Sequence, residues 1–331
     1  MQKNYSFTVP QVLTKQRIDK YIAGFIENAS RTKVQKAINL GYVTVNGDPV
    51  KSNYLVKPED EIDIELDYPD KQDIVPENIP LNIVFEDEYL MVINKPPSMV
   101  VHPAYKNYTG TLVNAILYYA QQKNDSLSSL NGFERAGIVH RLDKDTSGLI
   151  VIAKDELTHR KLSEQFFNHT IKREYNAIVW GKLKKKKGEI INKLGRNKRD
   201  RKKVAVLKDT AEGGKTAITH YEVLEEFDYL SLVKLNLKTG RTHQIRVHLS
   251  HSGHPVFGDE TYGGRDHHAP NLTASKKAQI KNLLEEMPRQ ALHAKIIGFV
   301  HPHSNEEMFF ESELPDDMLS LLGKVCKVES L

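Results

Sequence analysis

Gly137-Ile138-Val139-His140-Arg141-Leu142-Asp143-Lys144-Asp145-Thr146-Ser147-Gly148 runs directly into Leu149-Ile150-Val151-Ile152-Ala153. The second stretch is the most apolar run in the chain and is rich in β-branched residues, so it reads as a buried strand. The first concentrates ionisable and hydroxylated side chains and reads as a loop held by that strand, the usual place for reactive groups on a rigid element. A purely structural role is open to the same residues, because Asp143, Asp145, Thr146 and Ser147 can all build an Asx-type turn.

Around this strand lie further short β-rich runs: Ile83 to Phe85, Leu90 to Ile93, Tyr175 to Trp180, Thr219 to Val223 and Ser231 to Leu237. Two helices are expected between them, one capped by Asp155 and containing Leu162 and Phe166, the other capped by Thr242 and running through Ile245 and Leu249 to Gly253. Strands interrupted by a few helices indicate an α+β fold, with a larger domain over residues 81–331 built on a mainly antiparallel mixed β-sheet flanked by helices. Residues 67–80 are polar and proline-punctuated, as in a linker. Residues 1–66 form a small N-terminal α/β module. Ile18, Ile22 and Phe25 recur at helical spacing; Ser30, Val34, Ile38 and Gly41 mark a second helix from cap to stop. An Asn46-Gly47 hairpin turn and the alternating Glu61 to Leu66 follow. Arg17, Lys20, Arg31, Lys33 and Lys36 give the helical part a basic face.

With 331 residues, two domains are the default expectation. Hydrophobic residues at 39% and charged ones at 27% fit a globular chain rather than a disordered one. No run approaches membrane-spanning length and the first residues lack a signal-peptide core, so a cytoplasmic location without membrane attachment is expected. The single cysteine, Cys326, excludes an internal disulfide and a multi-cysteine zinc site. A net charge of +4 permits a polyanionic partner. Its distribution says more: Lys182, Lys184, Lys185, Lys186 and Lys187 form one basic cluster, and Arg196, Lys198, Arg199, Arg201, Lys202 and Lys203 a second. Both read as solvated loops or as contacts to a phosphate backbone.

A second polar constellation is Lys238-Thr239-Gly240-Arg241-Thr242-His243-Gln244-Ile245-Arg246-Val247-His248, a glycine turn leading into a helix whose N-terminus favours anions. Arg241 and Arg246 there form either an anion site or a pair of surface arginines. Arg173-Glu174-Tyr175 enters a strand in which Tyr175 is by itself best read as a core residue. Other classes fall away, since there is no Gly-rich phosphate loop, dinucleotide fingerprint, His-Glu-x-x-His or nucleophile elbow. The fourteen histidines, His267-His268 and His301-Pro302-His303 included, lack companions at metal-ligand spacing, so no metal is expected.

Taken together, His140 to Gly148 and Gly240 to His248 resemble the signature of the RluA family of pseudouridine synthases. The likeness continues through Asn94-Lys95-Pro96, Arg173-Glu174-Tyr175, Gly258 to Gly264 and Leu292-His293-Ala294. The first module is similar to the alpha-L RNA-binding motif. The resemblance implies that Asp143 is the catalytic carboxylate, that Tyr175 lies against the target uracil and helps remove its C5 proton, and that Arg246 pairs with Asp143. It makes Arg141, His140, Lys95, Arg241 and His243 substrate-binding residues. Arg17, Lys20, Arg31, Lys33 and Lys36 become RNA-binding residues. It also implies RNA as partner, with large-subunit ribosomal RNA the target of the subgroup most similar in pattern; no cofactor is expected, because the isomerisation neither takes nor gives electrons, and a monomer is expected.

The residue types suit that chemistry. Isomerising uridine breaks the bond from C1′ to N1 and joins C1′ to C5 with no net electron transfer. A carboxylate can add at C1′ or remove a proton at C2′, and a nearby arginine favours its charged form. Two rival readings remain: a non-catalytic RNA-binding factor in ribosome assembly, and a nucleoside-bond hydrolase, which needs a second acid such as Asp145.

Overall fold

The computed structural model describes residues 2–11, 16–26, 29, 31–67, 74–104, 107–132, 135–197, 200, 203–208, 210, 211, 213–266 and 273–326. The expected cap Ser30 lies outside these residues, as do Lys198, Arg199, Arg201, Lys202, His267 and His268. The chain divides into two compact units, Met1–Asp73 and Ile74–Leu331.

In the smaller unit, helices Ile18–Phe25 and Arg31–Asn39 share a core with a four-stranded sheet. Its order is Gln2–Thr8, Glu61–Asp67, Val43–Val45, Asp48–Pro49. Ile18, Ile22, Val34, Ile38, Val45, Ile62 and Ile64 are buried between them. Asn46 and Gly47 both have positive φ, as a tight hairpin turn requires, and Gly41 at φ +79° closes the second helix. Two features differ from the sequence reading. Gln2–Thr8 was not legible as a strand because only Tyr5 and Phe7 alternate inward among polar residues. Phe25 was expected in the core with Ile18 and Ile22 but is 55% exposed and stacks on Phe7, while Ile26 is buried in its place.

One ten-stranded sheet organises the larger unit. The order along it is Val204–Leu207, Lys187–Arg196, Lys215–Glu226, Leu230–Leu237, Lys172–Trp180, Leu292–Val300, Ser147–Ala153, Leu90–Lys95, Ile83–Glu86, and Glu307–Glu311 pairs beside Leu292–Val300. Every described pairing in it is antiparallel except Ser147 and Gly148 alongside His293 and Ala294. The α+β class and mainly antiparallel mixed sheet are as the sequence indicated.

All seven residues of Ser147–Ala153 are buried. Leu149, Val151 and Ala153 face Phe299 and Leu162 of helix Glu156–Phe167, whereas Ile150 and Ile152 face Leu112, Val113 and Ile116 of helix Leu112–Lys123. Cover on both faces explains why this run is continuously apolar instead of alternating. Beyond the short parallel contact the strand's other edge is closed by its own preceding loop. Ala153 N donates to Gly137 O at 2.9 Å, and Ile138 bridges Ile152. The polar loop is therefore anchored at both ends on one strand.

Asp155 caps helix Glu156–Phe167 as expected, its carboxylate accepting from Leu157 N and Thr158 N. Thr242 does not cap the other helix. That helix is Gln244–His251, its cap residue is His243 in the left-handed region at φ +54°, and the Gln244 side chain ties the turn instead. Lys187–Arg196 and Val204–Leu207 form a hairpin beside the two basic clusters; Lys182, Lys184, Lys185 and Lys186 stand in the segment ahead of it outside any strand, and Lys186 and Lys187 pair with Glu226 and Glu222. Within the stretch expected as a linker, Ile74 and Ile79 pack on the larger core and Glu77 accepts from Gly110 N. No helix among the described residues is long and apolar enough to cross a membrane.

Gly148 is where three strands converge. Its φ is +113° and an added Cβ would stand 2.2 Å from the Ala294 carbonyl oxygen. Gly148→Ala is expected to destabilise the fold by about 3 kcal/mol, because neither the backbone conformation nor the contact can accept a methyl group. Thermal denaturation checks this, and an unchanged midpoint would contradict the close approach.

Candidate active site

The loop before Ser147–Ala153 is held from behind, residue by residue. Thr146 N donates to Asp143 O at 3.1 Å, closing a turn. Lys95 Nζ donates to Lys144 O at 3.0 Å, and Arg289 Nη1 to Asp145 O at 3.0 Å. Gln290 Nε2 reaches Thr146 Oγ1. Arg289 is itself fixed by a two-pronged pair with Asp317, at 2.7 and 2.8 Å, near the start of helix Asp316–Cys326. The His140 imidazole accepts from Val151 N at 3.1 Å and stacks on Phe166. Burial, with the Arg173 charge adding to it, pushes His140 down to about 3, so its ring is neutral.

With its backbone held, the loop presents the Asp143 carboxylate, about one-fifth exposed, to helix Gln244–His251. Arg246 Nη1 donates to Asp143 Oδ2 at 3.0 Å. The same guanidinium donates through Nε and Nη2 to Asp259, at 2.7 and 2.9 Å, and lies 5.0 Å from the centre of the Tyr262 ring. Asp259 is fully buried and also accepts from the backbone N–H groups of Thr261 and Tyr262. Burial opposes the charge on Arg246, but the carboxylates of Asp259 and Asp143 outweigh it and raise its pKa. His243 Nε2 stands 3.7 Å from Asp143 Oδ1 while its Nδ1 meets the Tyr262 hydroxyl at 2.8 Å. Burial lowers the His243 pKa despite the opposing pull of Asp143, which favours the neutral ring.

Gln244 explains the tight turn ahead of that helix. Its Oε1 accepts from Thr239 Oγ1 and Arg241 N, and its Nε2 donates to Ile218 O and Thr219 Oγ1. Four bonds from one buried amide satisfy the turn that bears Arg241.

These walls enclose a cavity of about 620 Å3, within the range of small-molecule sites. Asp143 is the one acidic side chain among the described residues lining it, alongside Arg141, Arg173, Arg241 and Arg246. Tyr175 closes one side from strand Lys172–Trp180, just after a register shift between Glu174 and Tyr175 that re-aims the side chain. It packs in the core and lines the cavity at once. Burial raises its phenol, so the ring offers a neutral surface. No three His, Cys, Asp or Glu side chains among the described residues converge as a metal site.

Of the residues singled out from the sequence, Asp143, Tyr175, Arg246, Arg141, His140, Arg241 and His243 all line this cavity. Lys95 does not. It is wholly buried behind the loop, with its ammonium donating to Pro96 O, Met99 O and Lys144 O. Burial pushes it down to about 7, against the pull of Asp145. Asp145 is also absent from the cavity wall. Arg173, Gln244 and Asp259 stood in quoted motifs without a role of their own, and Arg289 stood in none, since nothing local marks a residue whose partner lies far away in sequence.

In the smaller unit, Lys20 and Lys36 are exposed, and Lys33 is half-buried. Arg17 and Arg31 are not independent cations. Both donate to the buried Asp19, Arg17 through Nε and Nη2 and Arg31 through Nε at 2.9 Å, and Gln35 adds a fourth donor. Burial alone would raise Asp19, but Gln35, Arg31 and Arg17 together lower it to about 2.

Residues 89–251 match the RNA pseudouridylate synthase family, and residues 16–62 match the S4 domain. An uncharacterized RNA pseudouridine synthase of Chlorobaculum parvum is 48% identical over 96% of both chains. A ribosomal large subunit pseudouridine synthase D of Zymomonas mobilis is 40% identical over 98% of both. Human RNA Pseudouridylate Synthase Domain Containing 4 shares the fold, with a TM-score of 0.56 at 24% identity over 74% of this chain and 93% of that one. The chain belongs to the RNA pseudouridine synthase family, with an S4 domain at its front. It is an isomerase whose substrate is RNA.

Asp259→Ala is expected to cost about 3–5 kcal/mol of stability, because it leaves a buried guanidinium with half its partners and strands two backbone N–H groups. Chemical denaturation measures the loss; a cost under about 1 kcal/mol would show that Arg246 does not depend on Asp259.

Proposed function

We propose that this chain converts uridines of large-subunit ribosomal RNA to pseudouridine, with Asp143 acting on the ribose of a nucleotide turned out of its stack. The observation that carries the reading is the Asp143 carboxylate, held at 3.0 Å by Arg246, as the one acidic side chain beside four arginines among the described residues lining the cavity. Arginines at such a mouth suit an RNA phosphate backbone, and a lone carboxylate among them suits a sugar carbon. Support for the ribosomal target comes from relatives in Zymomonas mobilis and Pseudomonas aeruginosa that carry the name ribosomal large subunit pseudouridine synthase D.

In the reaction the C1′ to N1 bond breaks, C1′ joins C5, the C5 proton is lost and N1 gains one. Asp143 either bonds to C1′ or takes the proton at C2′. Tyr175 lies against the uracil ring. As a protonated phenol it serves first as an apolar surface for the turned-out base. Arg141 helps hold the nucleotide outside the helix, which offsets part of the few kcal/mol that unstacking costs. Residues 81–331 carry this chemistry and residues 1–66 supply an RNA-binding module, with Lys20, Lys33 and Lys36 as its basic residues and Arg17 and Arg31 grouped by Asp19.

Glycosidic hydrolysis is disfavoured because its second acid has no counterpart in the cavity: Asp259 is locked on Arg246, and Asp145 lies outside the cavity wall. Chemical mapping of pseudouridine in total RNA from cells with and without the protein tests reaction and target together. Asp143→Asn is expected to abolish pseudouridine formation and keep RNA affinity within a few-fold. Full activity would exclude Asp143 as the reacting group, and free uracil from the parent protein would favour hydrolysis.

Lys20→Gln with Lys36→Gln in the full chain is expected to lower the slope of log affinity against log salt by about 0.7 to 0.9 per lost phosphate contact. An identical slope would leave these lysines without a part in RNA binding.

A further inference from the structure

Helix Glu156–Phe167 ends at the cavity in an unusual way. Thr170 N donates to Gln165 O and His169 N to Phe166 O, the paired bonds of a Schellman termination. The position that must turn left-handed is normally glycine. Here it is His169, at φ +58°. The strained residue lines the same cavity as Asp143, and so does Phe167, which is 81% exposed. The neighbouring Phe166 is already engaged, with the His140 ring stacked on it and the Arg173 guanidinium 5.6 Å from its centre. Arg173 Nε is buried without a hydrogen-bond partner among the described residues, and its Nη1 lies so near Gly240 that a Cβ there would be 2.7 Å away. Together they form a rim with an uncovered aromatic ring, an imidazole on a costly backbone conformation, and a guanidinium on the same cavity wall.

We infer that Phe167, His169 and Arg173 form a second nucleotide subsite, in which Phe167 stacks on the base next to the target uridine and His169 and Arg173 hold its sugar and phosphate. This rests on the proposed reading of the cavity as a uridine pocket. The physical reason lies in the eversion itself. Turning one nucleotide out exposes a face of its neighbour that was stacked, and an aromatic ring at the pocket rim restores the lost contact whatever the base is. Arg173 supplies a guanidinium suited to the adjoining phosphate. A left-handed histidine at a glycine position is the kind of local cost that persists where the side chain has a task.

The test uses the full chain and a hairpin RNA carrying a uridine that pseudouridine mapping shows it modifies, plus two versions with an abasic nucleotide on the 5′ or 3′ side. Phe167→Ala should weaken binding of the intact hairpin about five- to 150-fold, the range reported for aromatic stacking on one base, and Phe167→Trp should restore it. One abasic hairpin should bind the parent correspondingly more weakly yet bind Phe167→Ala no worse than the intact hairpin does. If Phe167→Ala binds the intact hairpin like the parent, or if its loss and the abasic loss multiply, the stacking assignment is overturned. His169→Gly should hold or raise the melting temperature while weakening binding, and unchanged binding removes His169 from the subsite. Failure of the protein to make pseudouridine in any RNA would instead defeat the proposed function, before a hairpin is chosen.

Discussion

One guanidinium organises the catalytic half of this protein. Arg246 is nearly buried and spends its N–H groups on two carboxylates, Asp259 behind it and Asp143 in front. Such a cation is costly to bury and tolerable only when every partner is in place. Asp259 meets that demand because it has no exposure of its own and is pinned by two backbone N–H groups. The pair behind therefore fixes the guanidinium, and the guanidinium fixes the carboxylate that faces the cavity.

A second arginine does the complementary work on the backbone. Arg289, anchored on Asp317, holds the carbonyl of Asp145 from beneath the loop, so side chain and main chain of one turn are gripped from opposite sides. The two grips are linked through the chain itself. Gly258 passes so close to Arg289 that a Cβ would lie 2.2 Å from its carbonyl oxygen, and the turn that begins there supplies Asp259. Displacing that turn would move both arginines at once.

This arrangement also separates what the sequence discloses from what it conceals. Residues 149–153 were legible because burial on both faces demands an uninterrupted apolar run, whereas Ser147 and Gly148, read as the end of the polar loop, already belong to the strand. The roles within the loop came from the likeness of whole motifs to a family, since periodicity has nothing to say about which acid reacts. Arg289 and Asp145 lie 144 residues apart, and the side chains of Arg246 and Asp143 103 apart. No local pattern encodes such partners. The hairpin of Lys187–Arg196 was hidden for another reason: only Leu194 of its ten residues is buried, so no apolar run marks the strand between the two basic clusters.

The electrostatic character of the cavity bears on what kind of reaction it can host. His140 and His243 are both pushed toward neutrality by burial, and Tyr175 toward the protonated phenol. The positive field around Asp143 thus comes from arginines, which do not titrate in the working range. A hydrolase of the two-carboxylate kind needs an acid poised to give up its proton near the operating pH and a base to activate water. An isomerisation that returns every atom to the same nucleoside, apart from protons exchanged with solvent, has no such need. The isomerisation proposed above calls for a reacting carboxylate, a flat surface for the detached base and fixed cations for the RNA, and Asp143, Tyr175 and the arginines on one cavity wall are the candidates for those parts.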